Sequence, residues 1–164
     1  MQSKQAVESS VEELVDALMH ASRALVGIAA ESIAAVDPTL SMPQFRALVV
    51  LAGAGPITVG QLAAALKVHT STVTRLCDRL VARGLITREQ AERNRREVAL
   101  ALTRSGRSVL RRVMDRRRQR VAEVVGALPA GQRQPVVAAL RAFSDAAGEA
   151  PEPSWAFGWE ASSG

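Results

Sequence analysis

The sequence predicts a mainly α-helical fold with one small β-hairpin, and three observations predict it. Apolar residues recur at helical spacing: Val7, Val11, Leu14, Val15, Leu18, Leu25 and Ile28 near the start, and Leu110, Val113, Val121, Val124 and Leu128 later. Aromatics reach only 3% and tyrosine is absent, which favours helices over a β-sandwich. Between them, Val98, Leu100 and Leu102 alternate with Glu97, Ala99 and Ala101, the pattern of a one-sided strand. Apolar residues make up 48% of 164, enough for a core in one domain with helical extensions.

The first helix runs from Val7 to about Val36. Glu12 and Glu13 suit its N-terminal dipole, and Asp37-Pro38 ends it. A second spans Pro43 to Ala52, with Ser41 as N-cap, Pro43 in the first turn, and Phe45, Leu48, Val49 and Leu51 as its apolar positions. Gly53-Ala54-Gly55-Pro56 breaks it. Ile57-Thr58-Val59 reads either as a short strand or as the start of a helix to Leu66, with Thr58 and Gln61 forming a capping box. After a turn at Val68-His69-Thr70, a helix from Ser71 to Arg83 turns Leu76, Leu80 and Val81 inward and stops at Gly84. Strands follow at Leu85 to Glu89 and Glu97 to Leu102, joined by the charged tip Gln90 to Arg96. Thr103 caps a helix to about Leu128, Pro129 to Gln132 form a turn, and a last helix spans Arg133 to Ala147. Residues 149–164, with Trp155, Phe157 and Trp159, read as a tail.

The net charge of +5 is unevenly spread. Residues 1–40 carry −4, residues 69–107 carry +5 and residues 108–120 a further +5. A cationic middle attracts polyanions. A lone cysteine gives no sign of an oxidising compartment, the N-terminus lacks a signal-peptide pattern, and Ala24 to Ala30 is too short to span a bilayer. A soluble cytoplasmic protein without a membrane partner is the expectation. The two histidines, His20 and His69, lie on different elements, and no nucleophile triad, phosphate-binding glycine loop or carboxylate pair accompanies them. Two histidines and one cysteine do not make a zinc site, so neither an enzyme nor a metal or other cofactor is expected. Cys77, beside inward Leu76 and Leu80, reads as a small buried hydrophobe.

Short helix, turn, helix and hairpin, in that order, make a winged helix-turn-helix. Small polar side chains at a helix N-terminus reach base edges in the major groove of double-stranded DNA, and a helix N-terminus favours a phosphate. His69, Thr70, Ser71, Thr72, Thr74 and Arg75 stand at these positions. Arginines on a hairpin tip enter the minor groove, which points to Arg93, Asn94, Arg95 and Arg96.

These segments resemble the MarR family of transcriptional regulators. Leu40 to Leu48 looks like its second helix, Ile57 to Ala63 like its first helix-turn-helix helix, and Val73 to Ile86 like its recognition helix and following strand. Asn94-Arg95-Arg96, followed by Leu102-Thr103 and Gly106, is similar to its wing, although the family usually has aspartate at position 94 and often serine at position 69. The likeness covers roughly residues 5–148. It implies a homodimer with dimerisation helices at 1–36 and 106–148 around a DNA-binding unit at 37–105, acting as a ligand-responsive repressor on a pseudo-palindromic operator. It also implies a crevice for a small aromatic or phenolic effector, for which His20, Phe45 and Arg46 are the candidates.

Overall fold

The computed structural model describes the backbone of residues 2–91 and 94–147 and the side chains of residues 10–89 and 98–147. Its elements run α1 (Gln2–Val36), α2 (Met42–Ala54), β1 (Ile57–Thr58), α3 (Val59–Leu66), α4 (Thr70–Ala82), β2 (Ile86–Ala91), β3 (Asn94–Leu102), α5 (Arg104–Gly126) and α6 (Ala130–Ala146). The strands form one antiparallel sheet in the order β1-β3-β2, with Ile57 opposite Leu100 and Ile86 opposite Leu102.

Local chemistry sets most boundaries. At α2 the Ser41 hydroxyl accepts the Gln44 N–H at 3.4 Å, while Gln44 Oε1 accepts the Ser41 N–H at 2.9 Å. The helix passes through Gly53 and Ala54, two residues beyond the expected end, and stops at Gly55, whose φ of 72° suits a residue without Cβ. Both readings of Thr58 hold together. Its backbone pairs with Ala99 in the sheet, and its hydroxyl accepts the Gln61 N–H at 3.2 Å to start α3. α4 begins at Thr70, one residue early, and closes through Gly84, at φ 65°, with Leu85 N–H donating to Leu80 O at 3.0 Å.

The hairpin strands reach further than expected, to Ala91 and from Asn94, with an irregular register between Gln90 and Ala91. Charged residues do not prevent this, because the ladder is made of backbone groups. The alternation read for β3 holds at Leu100 and Leu102, which are buried, but fails at its far end. There Val98 is 48% exposed and Ala99 is buried, since the strand leaves the core at that point. α6 starts at Ala130, so residues 130–132 form its first turn rather than a connection.

One core joins the middle of the chain: Ile33, Phe45, Leu48, Leu62, Val73, Leu80, Leu100, Leu110 and Val113 belong to it. Thr103 pins α5 to the end of α4. Its hydroxyl donates to Gly84 O at 2.7 Å and accepts the Gly106 N–H at 3.0 Å. Outside this core, Val11, Leu14, Val15, Met19 and Val26 of α1 are exposed, as are Val136, Leu140 and Phe143 of α6. No residue of α6 is buried. Among the described residues, no helix is long and apolar enough to cross a membrane.

Candidate nucleic-acid interface

α3, a three-residue connection and α4 form the helix-turn-helix. Lys67, at φ 56°, reverses the chain, with Val68 N–H donating to Ala63 O at 3.1 Å. α4 has two distinct faces. Val73, Cys77 and Leu80 are wholly buried, whereas Thr70, Ser71, Thr72, Thr74 and Arg75 are exposed. Leu76 and Val81, expected inside, are only partly buried at the flanks, and Val73 takes the inward place that sequence reasoning did not give it.

The exposed face has specific hydrogen-bonding capacity. The Thr74 hydroxyl donates to Thr70 O at 2.9 Å, so its oxygen and methyl group are what it presents outward. Such a side chain accepts from a base amino group or touches a thymine methyl. His69 caps α4 through its backbone, accepting the Thr72 and Val73 N–H groups at 3.0 and 3.2 Å, and its ring makes no capping bond. Arg75 and Arg79 flank an open cleft of about 310 Å³, with Thr72 and Leu76 on one side and Ser41, Pro43 and Gln44 of α2 on the other.

The hairpin is carried on the same unit, because β2 starts four residues after α4 ends. Asp78 on α4 pairs with Arg88 on β2, which braces the base of the hairpin against the helix. Asn94, Arg95 and Arg96 lie at the start of β3, with Asn94 opposite Ala91. Arg93 lies outside the described residues, as do the side chains of residues 94–96. Arg79 and Arg83 at the end of α4 have different surroundings. Arg79 is exposed on the cleft, whereas Arg83 is half-buried and bonds Asp37 and Thr39. Both ion pairs escaped sequence reasoning because they depend on the tertiary fold.

The effector candidates have different environments. The Phe45 ring fills the core at 5% exposure, which leaves little of it open to an effector. Arg46 beside it is exposed. His20 is exposed on α1, with Nδ1 2.8 Å from Asp16 O of its own helix. Burial pushes the Cys77 thiol up to about 11; the nearby Arg88 opposes the shift and Asp78 adds to it. A neutral, enclosed thiol is chemically quiet.

Comparison with known proteins agrees with this geometry. The MarR family model matches residues 40–98, from the start of α2 into β3. The HTH-type transcriptional repressor NicR of Pseudomonas putida is 33% identical over 111 residues, covering 68% of this chain and 70% of that protein. The chain belongs to the MarR family. RV1404 from Mycobacterium tuberculosis is 44% identical at a TM-score of 0.79, covering 88% of this chain and 98% of its own. A MarR family protein from Bacillus stearothermophilus is 27% identical at a TM-score of 0.76, with 87% and 98% covered. As a MarR-family member this chain is a DNA-binding winged-helix transcriptional regulator, with α3 and α4 as its helix-turn-helix and β2–β3 as its wing.

Proposed function

We propose that this MarR-family regulator is a homodimeric repressor that reads a pseudo-palindromic operator through α4 and the wing, and releases it when a small aromatic or phenolic effector binds. One observation carries the DNA reading. The polar face of α4, with Thr70, Ser71, Thr72, Thr74 and Arg75, stands back-to-back with fully buried Val73, Cys77 and Leu80. The helix is therefore anchored on one side and open to the groove on the other, on the same unit as the Asn94-Arg95-Arg96 hairpin. His69 and Arg93 complete the proposed contacts to bases and phosphates. The repressor reading is supported by the likeness to NicR, which is a transcriptional repressor by name.

The dimer reading rests on the apolar residues that α1 and α6 leave exposed. Covering them with a second copy stabilises the pair by roughly 25 cal/mol per Å² of apolar area. In this scheme residues 1–36 and 106–148 associate and residues 37–105 bind DNA, although Ile33 of α1 also belongs to the core that the DNA-binding unit shares. For the effector, Arg46 and His20 offer a cation and a hydrogen-bonding ring to an aromatic acid. By linkage, its effect on DNA affinity equals its preference for the DNA-incompetent shape.

The test is selection of bound fragments from a random DNA pool, followed by titration at several salt concentrations. The wild-type protein enriches an imperfect palindrome. Arg95→Ala with Arg96→Ala weakens binding to every sequence and flattens the salt slope by about one unit per lost phosphate contact, whereas Thr74→Ala changes base preference. No enrichment, or an unchanged salt slope in the arginine double variant, refutes the assignment.

A further inference from the structure

Asp37 closes the end of α1, its N–H donating to Ile33 O at 2.8 Å. Its Oδ1 accepts the Thr39 N–H at 3.1 Å and the Thr39 hydroxyl at 2.8 Å, which fixes the carboxylate on its loop. Oδ2 is left for Arg83, the C-cap residue of α4, whose Nη2 donates to it. Arg83 Nη1 lies 3.5 Å from Thr39 O. The two side chains are only 18% and 27% exposed, so salt screens this pair less than one at the open surface. A planar guanidinium held by two acceptors on one short loop fixes direction as well as distance. The elements it links otherwise pack on largely different neighbours: α1 chiefly on α5 and α2, and α4 on α3, α2 and β2.

We propose that the Asp37–Arg83 bridge is a positioning device that sets the angle of α4 against α1, and through it the spacing between the two recognition helices of the dimer. This rests on the dimeric DNA-reading role proposed above. Asp37 and Arg83 then determine which half-site separation is bound, although neither touches a base. The bridge sits at the far end of α4 from Thr70. The 13-residue helix is about 20 Å long. A pivot of about 10° at Arg83 therefore moves Thr70 and Thr74 by about 3 Å, close to one base-pair step. Val73, Cys77 and Leu80 of the same helix are fully buried, so loss of the bridge is expected to free its angle rather than unfold it.

The experiment takes the palindrome selected by the wild-type protein and varies its central spacer by one or two base pairs either way. Affinities of wild type, Asp37→Asn, Arg83→Gln and Arg83→Lys are measured against this series and against a scrambled duplex across salt. The wild-type protein prefers one spacing by about tenfold or more. Asp37→Asn and Arg83→Gln flatten that preference alike, while affinity for the scrambled duplex and the salt slope stay unchanged. Arg83→Lys keeps the charge without the fork and gives an intermediate profile; it carries the test if Asp37→Asn fails to fold. Unchanged spacing preference in these variants overturns the proposal. So does an effect confined to the Arg83 variants with a salt slope shallower by about one unit, which makes Arg83 a phosphate contact. A wild-type protein that selects no site overturns the reading beneath the proposal as well, whereas selection without spacing preference overturns the proposal alone.

Discussion

Replacing Gly106 by alanine probes the tightest glycine position among the described residues. A Cβ at this position would stand 2.0 Å from Leu85 O, 3.0 Å from Leu85 C and 3.1 Å from Leu102 Cδ2. Two of these neighbours are backbone atoms and cannot swing aside. Restoring ordinary contact requires α5 to withdraw by more than about 1 Å from a close-packed interior. Leu85 O also accepts the Thr103 N–H at 3.2 Å and the Thr103 hydroxyl at 3.1 Å, so withdrawal strains the α5 cap as well. Overpacking costs about 1–3 kcal/mol and the disturbed cap about 1 kcal/mol, against about 1 kcal/mol gained in helix propensity. The net loss is about 1–3 kcal/mol, which lowers Tm by about 2–12 °C in a chain of this size. Thermal unfolding followed by far-UV circular dichroism, at fixed protein concentration, measures it. Gly27→Ala on α1, where a Cβ meets nothing within 4 Å of the protomer, is the comparison and leaves Tm unchanged or slightly raised. A Gly106→Ala protein as stable as the wild type would refute the reasoning.

Three other outcomes are expected. Native Cys77 resists iodoacetamide at pH 8 and reacts on unfolding; because burial raises its pKa from 9.0 to about 11, the stability held in the neutral thiol is complete below pH 9 and lost as pH rises towards 11. Rapid alkylation of the folded protein would contradict this. Burial raises the Asp37 carboxyl, but the bonds from Thr39 and the Arg83 charge outweigh it and hold the group below its ordinary 3.8. Its contribution is therefore present above about pH 3.8 and lost on further acidification, and Asp37→Asn flattens the acid limb of an unfolding curve. Leu14→Asp combined with Phe143→Asp, both at residues exposed in the protomer, yields monomers by light scattering and weakens operator binding more than tenfold, since one half-site contact alone is weak. An intact dimer would remove these residues from the interface.

What the sequence made legible was what neighbouring residues decide. Thr58 with Gln61 and Thr103 before α5 could be read directly, because a cap and its partner lie three residues apart. Ser41 with Gln44 has the same spacing, so that box was readable too, although only the cap itself was named. Polar Thr70, Ser71, Thr72, Thr74 and Arg75 on the open face of α4 followed from their place at the start of a helix, whereas buried Val73 among them did not. Competing local signals misled at α6, where Gly131 after Pro129 reads as a turn yet lies within the first helical turn. Tertiary contact was out of reach: nothing near Arg83 announces a partner 46 positions away. The pattern of α2 did mark Phe45 as an apolar position, and the structure buries it in the core.

The position of α1 in the chain has a consequence for synthesis. Its main packing partner, α5, is made only after the whole winged unit. At roughly 5–20 residues per second, α1 waits several seconds on the ribosome with Ile28, Ala29 and Ile33 unprotected. Helix propensity alone holds such a segment only marginally in water. The nascent chain is thus most exposed to aggregation and to chaperone capture just before Leu110 and Val113 emerge, and ribosome pausing within the β3–α5 region would lengthen that interval.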